Sequence, residues 1–230
     1  MADSKAVLTR LEKLGNEQRR KIYRRHGYAE PLYGVSFADL GALTKAHKGD
    51  HDLALALWKS GNADARILAT MVADPARFTP ELAGAWAREA GFRTLANYVG
   101  CLVARAPGGA TLGRKWADSS DDLVRTAGYT ALMEILKGGG GLTDKECGEY
   151  IERIEKEIHG APNWSRYGMM YALIALGSYK PALTEKAVAA AKRIGKVEFD
   201  PGETDCKMPD PVPYIRKTVA HIAKKKSRKK

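Results

Sequence analysis

Four arginines, Arg66, Arg93, Arg125 and Arg166, fall near the starts of stretches with helical periodicity. A guanidinium is planar, permanently charged and forked to match a phosphate, and a helix N-terminus aims backbone N–H groups at the same anion. The pattern therefore points to phosphate contacts. For any one of these arginines the alternative is an ion pair with a neighbouring acid, Arg66 with Asp64 or Arg125 with Asp122. Trp164, Tyr167 and Tyr171 follow Pro162-Asn163 at a helix start, where an aromatic ring either stacks on a base or sugar or packs as core. Asn97, one turn beyond Arg93, completes the candidate contact set.

Other chemistry is poorly supported. Cys101, Cys147 and Cys206 are odd in number and far apart, the five histidines form no HxxxH or HExxH pair, and neither pattern suggests a metal or cofactor. The acidic loop DPGETDCKMPD lacks an EF-hand spacing, and Cys206 in it has no adjacent histidine; it reads as a rigid loop packing on the last helices. Gly138 to Gly141 is a flexible loop with neither the GK[ST] sequence nor the strand context of a phosphate cradle.

The elements carrying these residues are helical throughout. A helix end, a short polar break and a second helix with a basic residue in its first turn recur in WKSGNADARILATMVAD, WAREAGFRTLANYVGCLVAR, KWADSSDDLVRTAGYTALMEIL and IHGAPNWSRYGMMYALIALG. Placing Arg66, Leu95, Arg125 and Arg166 in register gives offsets of about 29, 30 and 41 residues, the range of helical-pair repeats. Such units cannot bury their apolar faces alone, so they stack into a curved, right-handed solenoid of antiparallel helix pairs, an all-α fold. Trp58, Trp86 and Trp116, at the ends of first helices, are expected in the core. Ser4 to His26 reads as one amphipathic helix with Gly15 a break point, and Val197-Glu198-Phe199 is too short a strand pattern to make a sheet. The expected organisation is a single domain over residues 1–222 and a disordered basic tail over 223–230.

The net charge is +11, with six positives in the last seven residues. The remaining excess favours a polyanionic partner such as nucleic acid. No run reaches the roughly 18 apolar residues of a membrane span, and the N-terminus lacks a secretion signal, so a cytoplasmic monomer is expected. Helical arrays also bind peptides, and a protein-interaction scaffold is the rival reading.

RRHGYAEPLYGVSFADLGALTK (24–45), LALALWKSGNADARILATMVADP (53–75), RYGMMYALIALGS (166–178) and AAAKRIGKVEFDPGETDCKMPD (189–210) resemble, in order, segments of the AlkD-like DNA alkylation repair family. The resemblance implies HEAT-like repeats, a basic concave surface on duplex DNA, and excision of N3- and N7-alkylated purines. In that chemistry an Asp, with nearby Trp and Arg, stabilises positive charge on the sugar as the glycosidic bond breaks. Aligned to the family's pattern, Ala96 falls where the carboxylate should be, Phe92 where a Trp sits, Thr126 at the Arg, and Met170 or Tyr171 near the later Trp. The catalytic residue is therefore unknown. The expectation is a duplex DNA-binding protein with weak, altered or absent base excision. The alternative is an active glycosylase in which Asp64, Asp118, Asp121 or Asp122 substitutes.

Overall fold

The computed structural model describes residues 3–227, and among these it contains helices and no strand. The segment read as one N-terminal helix is two, α1 (Ser4–Leu14) and α2 (Glu17–Arg25). A Cβ on Gly15 would lie 2.7 Å from the Tyr33 carbonyl oxygen, so the chain needs glycine where these segments cross. Asn16 then opens α2 by accepting from the Arg19 N–H.

After α3 (Phe37–His47) come five pairs. They are α4 (His51–Lys59) with α5 (Ala63–Val72), α6 (Pro80–Arg88) with α7 (Arg93–Val103), α8 (Gly109–Ala117) with α9 (Asp122–Lys137), α10 (Asp144–Glu157) with α11 (Asn163–Tyr179), and α12 (Thr184–Ile194) with α13 (Pro211–Ser227). Polar residues start most of these helices: Asn62, Thr79 and Asp121 each accept from a first-turn N–H, and Thr143 with Glu146 forms a reciprocal capping box. None of the described helices is long and apolar enough to cross a membrane.

The second helices α5, α7, α9, α11 and α13 form a continuous row extended at its start by α3, each packed on the next. By contrast α4, α6, α8 and α10 make few contacts with one another. Helices that touch along one row and spread along the other describe a curved stack, with α5 to α11 on the inside. Close approach within the inner row depends on small residues: a Cβ on Gly100 of α7 would lie 2.5 Å from the Ala127 carbonyl of α9. The core is continuous through α9, whose Ala127 and Ala131 pack toward the early repeats while Tyr129 and Leu132 pack toward the late ones. Trp58, Trp86 and Trp116 are buried, the first two stacked at 4.0 Å.

One expectation changes. Residues 223–227, read as part of a disordered arm, continue α13, while Arg228, Lys229 and Lys230 lie outside the described residues. Lysine is a good helix former, so a basic run extends a helix already begun. Ala96 is fully buried against the core. Asn97, one residue on, is half-buried, and its Oδ1 accepts from Thr130 Oγ1 at 3.1 Å.

Asp64 is also fully buried, and its carboxylate accepts from the N–H groups of Tyr33, Gly34 and Val35 at 2.7 to 3.0 Å. Asp64→Asn turns one acceptor into a donor facing donors, and urea denaturation should show a loss on the order of 1–3 kcal/mol. Ala96→Asp buries an unpartnered charge and should cost about 3–5 kcal/mol by the same measurement. Asn97→Asp, half-exposed and next to a hydroxyl donor, should stay within about 1 kcal/mol of the parent. Equal stability of the Ala96→Asp and Asn97→Asp proteins would contradict the inward orientation of residue 96.

Candidate nucleic-acid interface

Arg66, Arg125 and Arg166 occupy one register: the N–H of each bonds to the carbonyl of its helix's N-cap residue, Asn62, Asp121 and Pro162. In α7 the residue in that register is Ala96, which bonds to Phe92, so the repeat aligns on Ala96 and not on Leu95. Arg93 lies almost a turn earlier, as the first residue of its helix. The four arginines are thus three of one kind and one of another.

The three brace neighbouring segments. Arg66 donates to the carbonyls of Trp58 at 3.2 Å and Glu89 at 3.1 Å, lies 5.1 Å above the Trp58 ring, and pairs loosely with the Glu89 carboxylate at 3.7 Å. Arg125 pairs with Glu157 at 2.5 Å, and Arg166 donates to the carbonyls of Ala161 at 2.7 Å and Glu198 at 3.0 Å. From the first turn of a second helix these side chains reach carbonyls and carboxylates at the ends of adjoining segments, where helix dipoles leave partial negative charge. Their ion-pair partners are Glu89 and Glu157, because Asp64 and Asp122 are engaged elsewhere.

All four acids considered as substitutes for a catalytic carboxylate hold structure. Asp64 binds the 33–35 backbone as described. Asp118 pairs with Arg153, and Asp121 caps α9 by accepting from Leu123 and Val124. Asp122 accepts from the N–H groups of Trp164 at 3.0 Å and Ser165 at 2.6 Å and from the Ser165 hydroxyl at 2.7 Å, fixing the start of α11.

Arg93 differs in having no acid or carbonyl partner among the described residues. Its guanidinium carbon lies 5.0 Å from the Trp164 ring centre and 4.8 Å from that of Tyr167. Phe199 packs against both rings at 5.3 and 5.1 Å, and the Tyr167 hydroxyl donates to that of Tyr171 at 3.1 Å. Burial, followed by the hydrogen bond with Tyr171, raises the Tyr167 pKa and keeps that hydroxyl protonated. Trp164, Tyr167 and Tyr171 are each half-buried. Asn97 lies one turn along α7 from Arg93, beside Thr130 of α9.

Residues outside the sequence-derived set complete the cluster. Phe92 is buried and stacks on Tyr28 at 4.4 Å. His26 lies near enough to Arg93 that burial first, and the guanidinium second, lower its pKa. Phe199 is delivered by a clasp in which Asn163 Nδ2 donates to the Asp200 carbonyl at 2.8 Å and the Asp200 N–H donates to Asn163 Oδ1 at 2.9 Å. The 199–211 loop therefore packs on the last repeats, as its sequence suggests, with Phe199 against the two rings that meet the Arg93 guanidinium. A cavity of about 730 Å³ lies behind it, lined by Met170, Lys192 and Met208 among others. Among the described residues no three His, Cys, Asp or Glu come together as a metal site. The sequence signals for these additions are slight: a lone Phe in a Pro-rich loop and an HGY turn after a basic helix.

Comparison with known proteins bears on the fold and the family. Uncharacterized protein Lin0241 of Listeria innocua and uncharacterized protein Lmo0209 of Listeria monocytogenes are each 31% identical to this chain over 215 residues, covering 91% of it and 94% of theirs. A solved structure, described as a new family of proteins related to the HEAT-like repeat DNA glycosylases with affinity for branched DNA structures, aligns with a TM-score of 0.88 at 27% identity. That alignment covers 96% of this chain and 95% of the other. Residues 7–198 match the model of the DNA alkylation repair enzyme family, and the chain belongs to that family.

Proposed function

We propose that this protein binds duplex DNA, branched forms included, with a backbone phosphate seated at Arg93, and that its base-excision activity is weak or absent. The observation that carries the reading is the Arg93 guanidinium, without an acid or carbonyl partner among the described residues and held over the Trp164 and Tyr167 rings. Contact with two rings restricts the cation, so less rotamer entropy remains to be lost when an anion arrives. Its N–H groups have no acceptor among the described residues and match a phosphate. Asn97, Tyr171 and the exposed parts of Trp164 and Tyr167 are then available to sugars and bases. Positive charge flanks the row at both ends: α2 carries five basic residues and one acid, and Lys217, Lys224 and Lys225 of α13 have no acid partner among the described residues. The affinity of the aligned structure's protein for branched DNA supports the same partner.

Weak or absent excision follows from the acids. Stabilising an oxocarbenium-like sugar calls for a carboxylate free to face it, and Asp64, Asp118, Asp121 and Asp122 all hold structure. Loss of one such stabiliser costs about 10²- to 10³-fold in rate. Incubating methylated DNA with excess protein should release little or no alkylpurine over the uncatalysed rate; rapid release would restore the glycosylase reading.

Titration of a labelled duplex by fluorescence anisotropy should give micromolar affinity that falls steeply with salt as counterions are released. Arg93→Gln should weaken binding and reduce the slope of log K against log salt by about 0.9. Arg66→Gln should instead lower the melting temperature and leave DNA affinity within about twofold, because its guanidinium is bound internally. Deleting residues 224–230 should lower affinity without abolishing it. Complete loss would move the site to the tail, and equal DNA effects of the Arg66 and Arg93 variants would dissolve the distinction between them.

His26 supplies a pH dependence. In the free protein its pKa is depressed by burial and by Arg93, so the neutral ring dominates at neutral pH. A phosphate on Arg93 offsets the second cause and raises the His26 pKa in the complex. The complex then holds a proton more tightly than the free protein, and affinity should increase as pH falls below about 6.5. The increase should disappear in His26→Gln; an unchanged pH profile in that variant would separate His26 from the site.

A further inference from the structure

A second aromatic group lies on the same row and takes no part in the phosphate contact. Phe37, the first residue of α3, is 41% exposed, and α3 buries only Leu40. Its ring is nearly parallel to that of Tyr98 on α7, at 7° and 5.9 Å between centres. At that separation parallel rings are offset, so each leaves part of a face uncovered. Ring contacts also run from Phe92 through Tyr28 at 4.4 Å and Tyr23 at 4.7 Å to Phe37 at 6.2 Å. Phe92 adjoins Arg93 in the chain, so this chain of rings leads from the start of α7 to Phe37 and back to α7 at Tyr98. The Tyr23 hydroxyl donates to the Val35 carbonyl at 2.9 Å, which fixes the middle of the chain. Phe37 is thus an exposed ring on a rigid support. Lys21 and Arg25 of α2 and Lys45 of α3, on the flanking helices, have no acid partner among the described residues.

Flat apolar faces amid unpaired cations match a nucleobase on a phosphodiester strand, whereas an apolar peptide would gain nothing from the surrounding charge. Inside a duplex each base is covered above and below by its neighbours. A free face is offered only by an unpaired nucleotide, as at a flap, gap or branch point. We infer that Phe37 and Tyr98 form a stacking platform for an unpaired base of DNA whose backbone is held at Arg93. This rests on the DNA-binding reading above and adds what that reading lacks, a residue-level source of preference for interrupted over intact duplex.

The test uses the full chain, an intact labelled duplex, and the same duplex carrying a short single-stranded flap that begins with 2-aminopurine. Wild-type protein should bind the flap DNA more tightly than the duplex and quench the 2-aminopurine fluorescence. Phe37→Ala should remove that preference, weakening flap binding by about 5- to 150-fold, the effect of losing one base–aromatic stack. Its duplex affinity should stay within about twofold of wild type. Phe37→Trp and Tyr98→Phe keep the rings and should retain both preference and quenching. Circular dichroism melts confirm that each variant is folded, and Phe37→Trp with Tyr98→Phe carries the test if Phe37→Ala is not. A folded Phe37→Ala that keeps the flap preference, or loss of preference in both ring-retaining variants, overturns the platform. Wild-type protein that binds duplex but shows neither preference nor quenching overturns the platform alone. Binding to neither DNA overturns it together with the DNA-binding reading.

Discussion

The first turns of α5, α9 and α11 join repeats through polar side chains, and the rest of the architecture depends on those junctions. Two-helix units leave apolar faces that only a neighbour can cover, and burial alone is non-directional. Direction comes from polar side chains at fixed positions. Near the start of α5, α9 and α11 stand Asp64, Asp122 and Asn163, and each ties its helix to backbone outside its own repeat, at residues 33–35, 164–165 and 200. In the fourth position of the same helices stand Arg66, Arg125 and Arg166, bound to carbonyls or a carboxylate near the ends of segments in their own or the following repeat. Among α5, α7, α9 and α11 the exception is α7, while α13, which opens with Pro211, Val212, Pro213 and Tyr214, also stands outside the pattern. Helix α7 opens with Phe92, Arg93, Thr94, Leu95 and Ala96, with neither the acid or amide nor the fourth-position arginine. The helix freed from the joining pattern carries Arg93, which meets two rings but no acid or carbonyl among the described residues. Departures from a repeated local rule are expected where function displaces structure.

That contrast gives the charge of the molecule a meaning its total does not have. Most arginines outside α7 meet acids or carbonyls, so they contribute to net charge while offering little to an approaching anion. Surface pairs such as Arg216 with Glu185 and Arg193 with Glu155 are open to solvent and to screening by salt. Arg125, with a side chain only 13% exposed, is sheltered. Affinity for a polyanion should therefore follow the few unpaired positions more closely than the overall excess of base.

Much of the fold was legible in the sequence because helix periodicity, caps and loop residues are local signals. The Thr143–Glu146 box, the proline start of α6 and the buried tryptophans could each be read from a few neighbouring letters. What failed was long-range or depended on a single residue. Aligning the repeat on Leu95 instead of Ala96 shifts position by about 100° around a helix. Leu95 and Ala96 are both fully buried, so apolar periodicity does not separate the two registers. Likewise the arginines could be picked out, but their partners lie at Trp58, Glu89, Glu157 and Glu198, and nothing local announces those pairings. Phe199 and His26 enter the cluster from opposite ends of the chain, a convergence that only tertiary packing creates.

The same convergence sets what the site can do. Its parts come from the turn after α2, the start of α7, the first two turns of α11 and the clasped loop at residue 199, so the ring of side chains is closed only when distant repeats are docked. A Cβ on Gly202 of that loop would lie 3.9 Å from the Arg25 carbonyl, which brings the late loop against the end of the early helix. A ligand seated at Arg93 therefore touches pieces that the rest of the solenoid joins only through several successive interfaces. Stacks held by nearest-neighbour contacts tend to open from their ends, where one interface is missing. A contact spanning early and late repeats opposes that opening and favours the closed arrangement over frayed ones, by an amount set by ligand concentration relative to its dissociation constant. The cation–ring contacts perform part of this work without ligand, since Arg93 of α7 already meets the Trp164 and Tyr167 rings of α11.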